Sequence, residues 1–310
     1  MNLWLAPLHG ITYFYLRNLM GRHFGGINYA IAPFIPVLPG ERINIYKWKD
    51  LLPENNTGME IIPQLMGNEA SFFYDTISAL SGLGYDQFNW NIGCPAKPIV
   101  RKKRGCGIMP FPEEVENIVS TVTRKTNCRF SVKMRLGLSN PGEGEEIIRR
   151  LNHYPLQFII IHPRLGTDQY DGIPDMREFE KLLRLSTHEI IYNGDINSKE
   201  DFDRLSENYP KISQWMIGRG LLRNPFLAEE ITGKVNHIQS RQERFIGFYE
   251  ELLPVLMENR SPKGALGNLK ELWHYYSCFW KIPSEILQSL LRINELDHFF
   301  DSTLKIMNRG

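Results

Sequence analysis

With 310 residues, 42% of them hydrophobic and 23% charged, the chain can bury a large core and has the makeup of a globular protein rather than a disordered or fibrous one. Its 36 basic residues against 35 acidic give a net charge of +1, which excludes a global field as the means of binding nucleic acid and requires a local patch instead. Cys94, Cys106, Cys128 and Cys278 form no CxxC pair, and no histidine cluster has metal-ligand spacing. This argues against disulfides and structural zinc. No apolar run is long enough for a bilayer and Met1 to Pro7 lacks a leader pattern, so no metal, no membrane association and a cytoplasmic location are expected.

In chain order, apolar runs that read as buried strands are Leu3 to Pro7, Ile27 to Pro33, Ile61 to Met66, Gln87 to Gly93, Phe130 to Leu136, Phe158 to Pro163, Glu189 to Asp195 and Gln214 to Gly220. Helical patterns stand between most of them, clearest at Ala70 to Leu83, Pro112 to Lys125, Gly144 to His153, Met176 to Leu185, Lys199 to Asn208 and Leu221 to Ile231. The Pro-, Gly- and Asn-rich crossover between Pro33 and Ile61 predicts a loop or short helices over the top of the barrel. Eight strands alternating with helices predict an α/β fold, a (β/α)8 TIM barrel, over residues 1–234.

Beyond Gly233 the pattern changes. Amphipathic helices at His237 to Glu258, Lys263 to Trp280, Ser284 to Leu291 and Asn294 to Met307 predict a small all-helical domain over 235–310. Its aromatics, Phe245, Phe248, Tyr249, Trp273, Tyr275, Tyr276, Phe279 and Trp280, read as core. Arg260, Lys263 and Lys270 read equally as a phosphate-binding face or a solvated one.

Polar residues gather at the C-terminal ends of seven of the eight strands: Pro7-Leu8-His9, Gln64, Asn91 with Cys94, Lys133 with Arg135, His162 with Arg164, Asn193-Gly194-Asp195 and Gly218-Arg219-Gly220. Barrel enzymes keep their active sites at that face. Asn89, Asn91 and Gly93 share one parity, as do Lys133 with Arg135 and His162 with Arg164, so each set can face the interior. Cys94, held between Gly93 and Pro95, is taken alone a small buried hydrophobe. The cationic run Arg101-Lys102-Lys103-Arg104 beside it raises the prospect of a reactive thiol and a polyanionic substrate, although such runs are more often solvated.

A flavin's needs match this set. Gly218 and Arg219 can receive a phosphate at the last strand, and Asn193-Gly194-Asp195 permits a close backbone approach. Gln64 can meet a ring edge, and Lys133 can stabilise an anionic ring; the alternative for Lys133 is a buried ion pair with Asp195 or another carboxylate, which would not exclude cofactor binding.

The ordered motifs Ala6-Pro7-Leu8, Gln64-Leu65, Asn91-Ile92-Gly93-Cys94-Pro95, Val132-Lys133-Met134-Arg135, His162-Pro163-Arg164, Asn193-Gly194-Asp195-Ile196 and Ile217-Gly218-Arg219-Gly220 resemble those of the tRNA-dihydrouridine synthases along the whole chain. The resemblance implies FMN reduced by NADPH, hydride transfer to C6 of a tRNA uridine, and Cys94 as the proton donor to C5. It further implies FMN contacts from Pro7, Leu8, His9, Gln64, Lys133, His162, Asn193, Gly194, Asp195, Gly218 and Arg219, with Asn91 and Arg135 around flavin and uracil. Arg101, Lys102, Lys103 and Arg104 are expected to face tRNA phosphates, and the protein to act as a monomer. Leu8 and Tyr13 depart from the family's usual Met and Asp, Pro163 from its usual Gly, and Cys106 from its small residue. The alternatives are a barrel flavoenzyme reducing a small unsaturated substrate, such as a pyrimidine, and a tRNA-binding protein without catalysis. The cationic run and the helical extension speak against the first, and intact Cys94, Lys133 and Arg219 against the second.

Overall fold

The computed structural model describes residues 1–37, 45–234 and 239–308. Ten strands form one parallel sheet that rolls into a barrel. They are β1 (Asn2–Leu5), β2 (Tyr29–Ile31), β3 (Ile35–Pro36), β4 (Glu60–Ile62), β5 (Gln64–Met66), β6 (Gln87–Ile92), β7 (Arg129–Gly137), β8 (Ile159–Leu165), β9 (Ile190–Asn193) and β10 (Gln214–Ile217).

They occupy eight barrel positions because the strand expected over Ile61 to Met66 is split, and because the two-residue β3 follows β2 at the start of the crossover, where the sequence predicts a loop or short helices. Pro63 has no N–H and interrupts the third run, so β4 pairs with β2 while β5, one residue further on, pairs with β3 and β6. This continuous segment joins the two ends of the sheet. The first strand meets the last along its length, Asn2 opposite Gln214 and Leu5 opposite Ile217.

Around the barrel lie α1 (Phe14–His23), α2 (Ala70–Ser81), the short α3 (Lys97–Val100), α4 (Pro112–Lys125), α5 (Gly142–Leu151), α6 (Met176–Leu185), α7 (Lys199–Asn208), α8 (Arg219–Arg223) and α9 (Leu227–Thr232). α6 and α7 begin at side-chain caps from Asp175 and Ser198. The helix expected over Leu221 to Ile231 is two, because Pro225 cannot continue the first of them. In the crossover the described part holds short 3-10 turns at Ile45–Leu51 and Pro53–Asn55, and its residues 38–44 lie outside the described residues. So do the expected domain junction at 234/235 and the expected helix start at His237.

α10 (Arg241–Asn259), α11 (Pro262–Phe279), α12 (Ser284–Leu291) and α13 (Leu296–Met307) follow. α10 opens with a capping box between Ser240 and Glu243. α10 packs on α1 and α11 on α8. An aromatic seam fills the junction, with Phe245 stacked on Phe279 at 5.3 Å and Phe24 against Phe226 at 5.0 Å. Inside it the Arg244 guanidinium donates to both oxygens of buried Glu229 and to His23 O, so this interior charge has its partners.

Strand parity separates two apolar layers. Leu3, Leu5, Trp90, Val132, Ile161, Tyr192 and Trp215 face the surrounding helices. Trp4, Ile31, Ile62, Phe158, Ile160, Ile191 and Met216 fill one part of the barrel interior. The polar residues described next stand above and beside this inner plug.

Candidate active site

A cavity of about 640 Å³ opens at the C-terminal ends of the strands, a size suited to a cofactor with part of a substrate. Its lining includes Pro7, Leu8, His9, Gln64, Asn91, Cys94, Lys133, Arg135, His162, Asn193, Gly194, Asp195, Gly218 and Arg219. Thus Cys94 and all the residues expected around flavin and uracil meet at one cavity, while the cationic run and Arg260, Lys263 and Lys270 do not line it.

One wall is a chain of amides. Gln64 Nε2 donates to Asn89 Oδ1 at 2.7 Å, Asn89 Nδ2 to Ser131 Oγ at 2.9 Å, and Asn91 Nδ2 to Gln64 Oε1 at 2.9 Å. Asn91 Oδ1 then accepts from the amides of Gly93 and Cys94 at 3.0 and 2.9 Å. Asn91 therefore fixes the turn that carries the thiol, a positioning role visible in retrospect in the Asn-x-Gly-Cys spacing. From the other side Cys106 N–H donates to Cys94 O. Gly105, at φ +54°, lets the strands of this loop touch, since a β-carbon there would lie 2.5 Å from Cys94 O.

Burial pushes the Cys94 thiol up from its ordinary value, outweighing the Ala96 amide and the Arg135 and Lys133 charges that pull it down. At neutral pH it keeps its proton. The cations that act on it are thus Arg135 and Lys133, whereas Arg101 to Arg104 lie outside the cavity. Of that run, Lys103 pairs with Glu114 at 2.5 Å and sits over Phe111, Arg104 Nε donates to Asn68, and Arg101 and Lys102 stay exposed.

Lys133 is half-buried at the cavity, and desolvation, reinforced by Arg135, pushes it down to about 7. Among the described residues it has no ion pair, so the pairing with Asp195 considered above does not form. Asp195, strained at φ +38°, instead bridges Arg164 at 2.5 Å and Arg219 at 3.3 Å. Buried Arg164 also donates to Asp171 O, Gly172 O and His162 Nε2. A guanidinium only donates, so His162 Nε2 accepts and Nδ1 bears the proton; burial and the surrounding cations hold this ring neutral. Asn193 Nδ2 donates to Met216 O at 2.9 Å, tying two strand ends together.

The cavity also has residues that local sequence patterns do not assign to it. Tyr170, exposed on the loop that Arg164 fastens, lies between Arg135 and Arg219 at 5.5 and 5.6 Å. Phe34 stacks on His9 at 4.9 Å. Glu271 and Tyr275 arrive from α11, so Tyr275 is a cavity residue as well as a partner of the core. The other seven aromatics named for that region pack in the core or against it, as expected.

The donor set fits a flavin phosphate and ring: a desolvated cation with no ion pair among the described residues, amides that line the cavity, and a guanidinium beside Gly218 at the last strand. Among the described residues no group of three or more His, Cys, Asp or Glu can hold a metal, and no helix is long and apolar enough to cross a membrane.

The fold is that of a TIM-barrel enzyme, and the candidate site lies at the C-terminal face of its strands. The sequence model of the dihydrouridine synthase family matches residues 4–278, and the chain belongs to that family of oxidoreductases. It is 28% identical over 265 residues to a tRNA-dihydrouridine(16) synthase of Pseudomonas syringae pv. tomato, covering 83% of this chain and 81% of that one. A tRNA-dihydrouridine(16) synthase of Cupriavidus necator is 25% identical, with 95% and 94% covered. Tyr13, Leu8 and Pro163 thus stand within the family despite their departures. Among solved structures, a mutant morphinone reductase in complex with tetrahydroNAD shares the fold, with a TM-score of 0.52 and 12% identity over 74% of this chain and 86% of that one.

Proposed function

We propose that the chain reduces the C5–C6 double bond of a tRNA uridine to 5,6-dihydrouridine, with FMN and NADPH as cofactors. The observation that carries this reading is a protonated thiol, Cys94, fixed by Asn91 in a cavity that also holds a desolvated lysine with no ion pair among the described residues. Bound there, FMN would take reducing equivalents from NADPH and supply the hydride for uridine C6.

The chain's own residues do the rest. Pro7, Leu8 and His9 form one side of the cofactor site, and Gln64 and Lys133 offer a donor and a cation to the ring. Neutral His162, Asn193, Gly194, Asp195, Gly218 and Arg219 hold the ribityl and phosphate end. Cys94 Sγ–H gives its proton to C5 and is reprotonated from solvent, a task that needs a thiol rather than a thiolate. Asn91 and Arg135 orient the base, which must leave the RNA stack to reach them. Exposed Arg101 and Lys102 contact tRNA phosphates; Lys103 and Arg104 serve once released from Glu114 and Asn68. The helices beyond residue 235 share the RNA contact.

The test is nucleoside mass spectrometry on tRNA from a host without dihydrouridine, incubated with purified protein, FMN and NADPH. A gain of H2 at one uridine is expected, with position 16, named in two relatives, the first to map. Yellow protein that oxidises NADPH and reduces free pyrimidines, while leaving tRNA unchanged, would overturn the reading.

A further inference from the structure

The cavity rim has one acidic group that the chemistry above does not use. Glu271, exposed on α11, reaches the cavity with its carboxylate, and a β-carbon at Gly10 would lie 3.9 Å from Glu271 Oε2. Among the described residues no hydrogen bond or ion pair engages it, although Asp195, the other carboxylate of the lining, is doubly paired. A free anion at the entrance for a polyanion repels every incoming phosphate. Its place is consistent with RNA binding only if it meets a donor on a base.

Two further features make this a prepared surface. Tyr275 follows Glu271 by one helical turn, lines the same cavity and is half-buried, so carboxylate and ring point to one place. Burial pushes the Tyr170 phenol up, Tyr275 is close enough to add to this, and both rings line the same mouth. The helix is also fastened there. Asn268 Nδ2 donates to Gly10 O at 3.1 Å, Arg260 Nε donates to Tyr15 Oη at 3.0 Å, and Tyr15 Oη–H donates to Asn268 Oδ1 at 3.3 Å. Leu8 and His9 of the cavity wall lie in the turn that this network grips.

A strand that delivers one extruded base to the cavity leaves the neighbouring base at the rim. We propose that Glu271 and Tyr275 are a subsite for a guanine next to the reduced uridine: the carboxylate accepts from guanine N1–H and N2–H, and the phenol packs on the ring face. This rests on the RNA-reducing function proposed above. Guanine is the standard base with two adjacent N–H donors on its Watson–Crick edge, the complement of two carboxylate oxygens. Adenine and cytosine would set a ring-nitrogen acceptor against one oxygen, and uracil would flank its single N–H with two carbonyls. Unpaired bases in RNA are read on this edge and by aromatic stacking.

The experiment uses the full chain and tRNA transcripts in which single guanosines beside the reduced uridine are replaced by inosine, which lacks the N2 amine. Affinity and the rate of dihydrouridine formation are measured for wild type and Glu271→Gln. At one position inosine is expected to weaken wild type about tenfold. Glu271→Gln should weaken by a similar factor on the guanosine RNA and show no further loss on inosine. Tyr275→Leu should weaken both RNAs alike, by about fivefold or more. Equal affinities of Glu271→Gln and wild type, or a loss in Glu271→Gln that adds to the inosine loss at every position, would overturn the subsite. If wild type makes no dihydrouridine, the functional reading falls, while the guanosine-to-inosine affinity ratios still decide the subsite.

Discussion

Arg244 is buried and Lys133 half-buried, and the protein treats these two cations in opposite ways. Arg244, 3% exposed in its side chain, has every reachable acceptor around it: two oxygens of Glu229, the His23 carbonyl and the Phe226 ring. Lys133 has no ion pair among the described residues and is pushed down to about 7. A buried charge with its partners in place is part of the architecture. One left without them keeps its interaction free energy for a ligand.

This contrast can be tested at four points. Replacing the thiol at the functional end should have the largest effect: Cys94→Ala is expected to lower dihydrouridine formation by about 10² to 10⁴ while flavin stays bound, as single-turnover assays and the visible spectrum would record. Undiminished product would remove Cys94 from the proton step. At the architectural end, Arg244→Met should reduce unfolding free energy by about 3–5 kcal/mol in denaturant titrations, because Glu229 keeps its burial and loses its guanidinium. A loss below about 1 kcal/mol would make the seam no different from a surface pair.

Lys133→Met should have the opposite sign, stabilising flavin-free protein by about 1–3 kcal/mol while impairing flavin affinity. Its pH dependence follows from the depressed value. Between about 7 and the ordinary 10.5 the unfolded chain holds a proton that folded Lys133 lacks, so wild-type stability gains from this group as pH rises through that window. The advantage of Lys133→Met should therefore be greatest below pH 7 and shrink above it; parallel pH curves would show that Lys133 is not desolvated. The smallest effect belongs to the surface. Arg101→Ala with Lys102→Ala should flatten the salt dependence of tRNA binding by about 0.7 per lost phosphate contact, more than Lys103→Ala with Arg104→Ala, whose native side chains already have protein partners.

Much of this is written locally in the chain. Strand parity put Asn89, Asn91, Lys133, Arg135, His162 and Arg164 toward the interior, and the structure has them there, because a period of two leaves one choice wherever a strand is flanked by core. The split at Pro63 was less legible, since a proline at the edge of an apolar run marks a break without saying which neighbours take the two halves. The cationic run was harder still. Its charge is visible in the chain, but the loss of Lys103 to Glu114 depends on a helix that begins eight residues after the run. Glu271 and Tyr275 were out of reach altogether, for nothing in their surroundings distinguishes an outward helix face from one that meets a cavity built far upstream.

The Gly10 carbonyl, gripped by Asn268 and Arg260, joins the beginning of the chain to its last fifth. On a ribosome, residues 2–10 emerge well before their partners and wait: β1 lacks one of its two neighbours until β10 is made, and the turn after β1 lacks its clasp until α11 is made. A nascent barrel therefore has an unfinished mouth, and the wall of its cavity becomes whole only when synthesis has passed residue 268. Maturation of the site is timed by translation of a segment that carries none of the thiol chemistry.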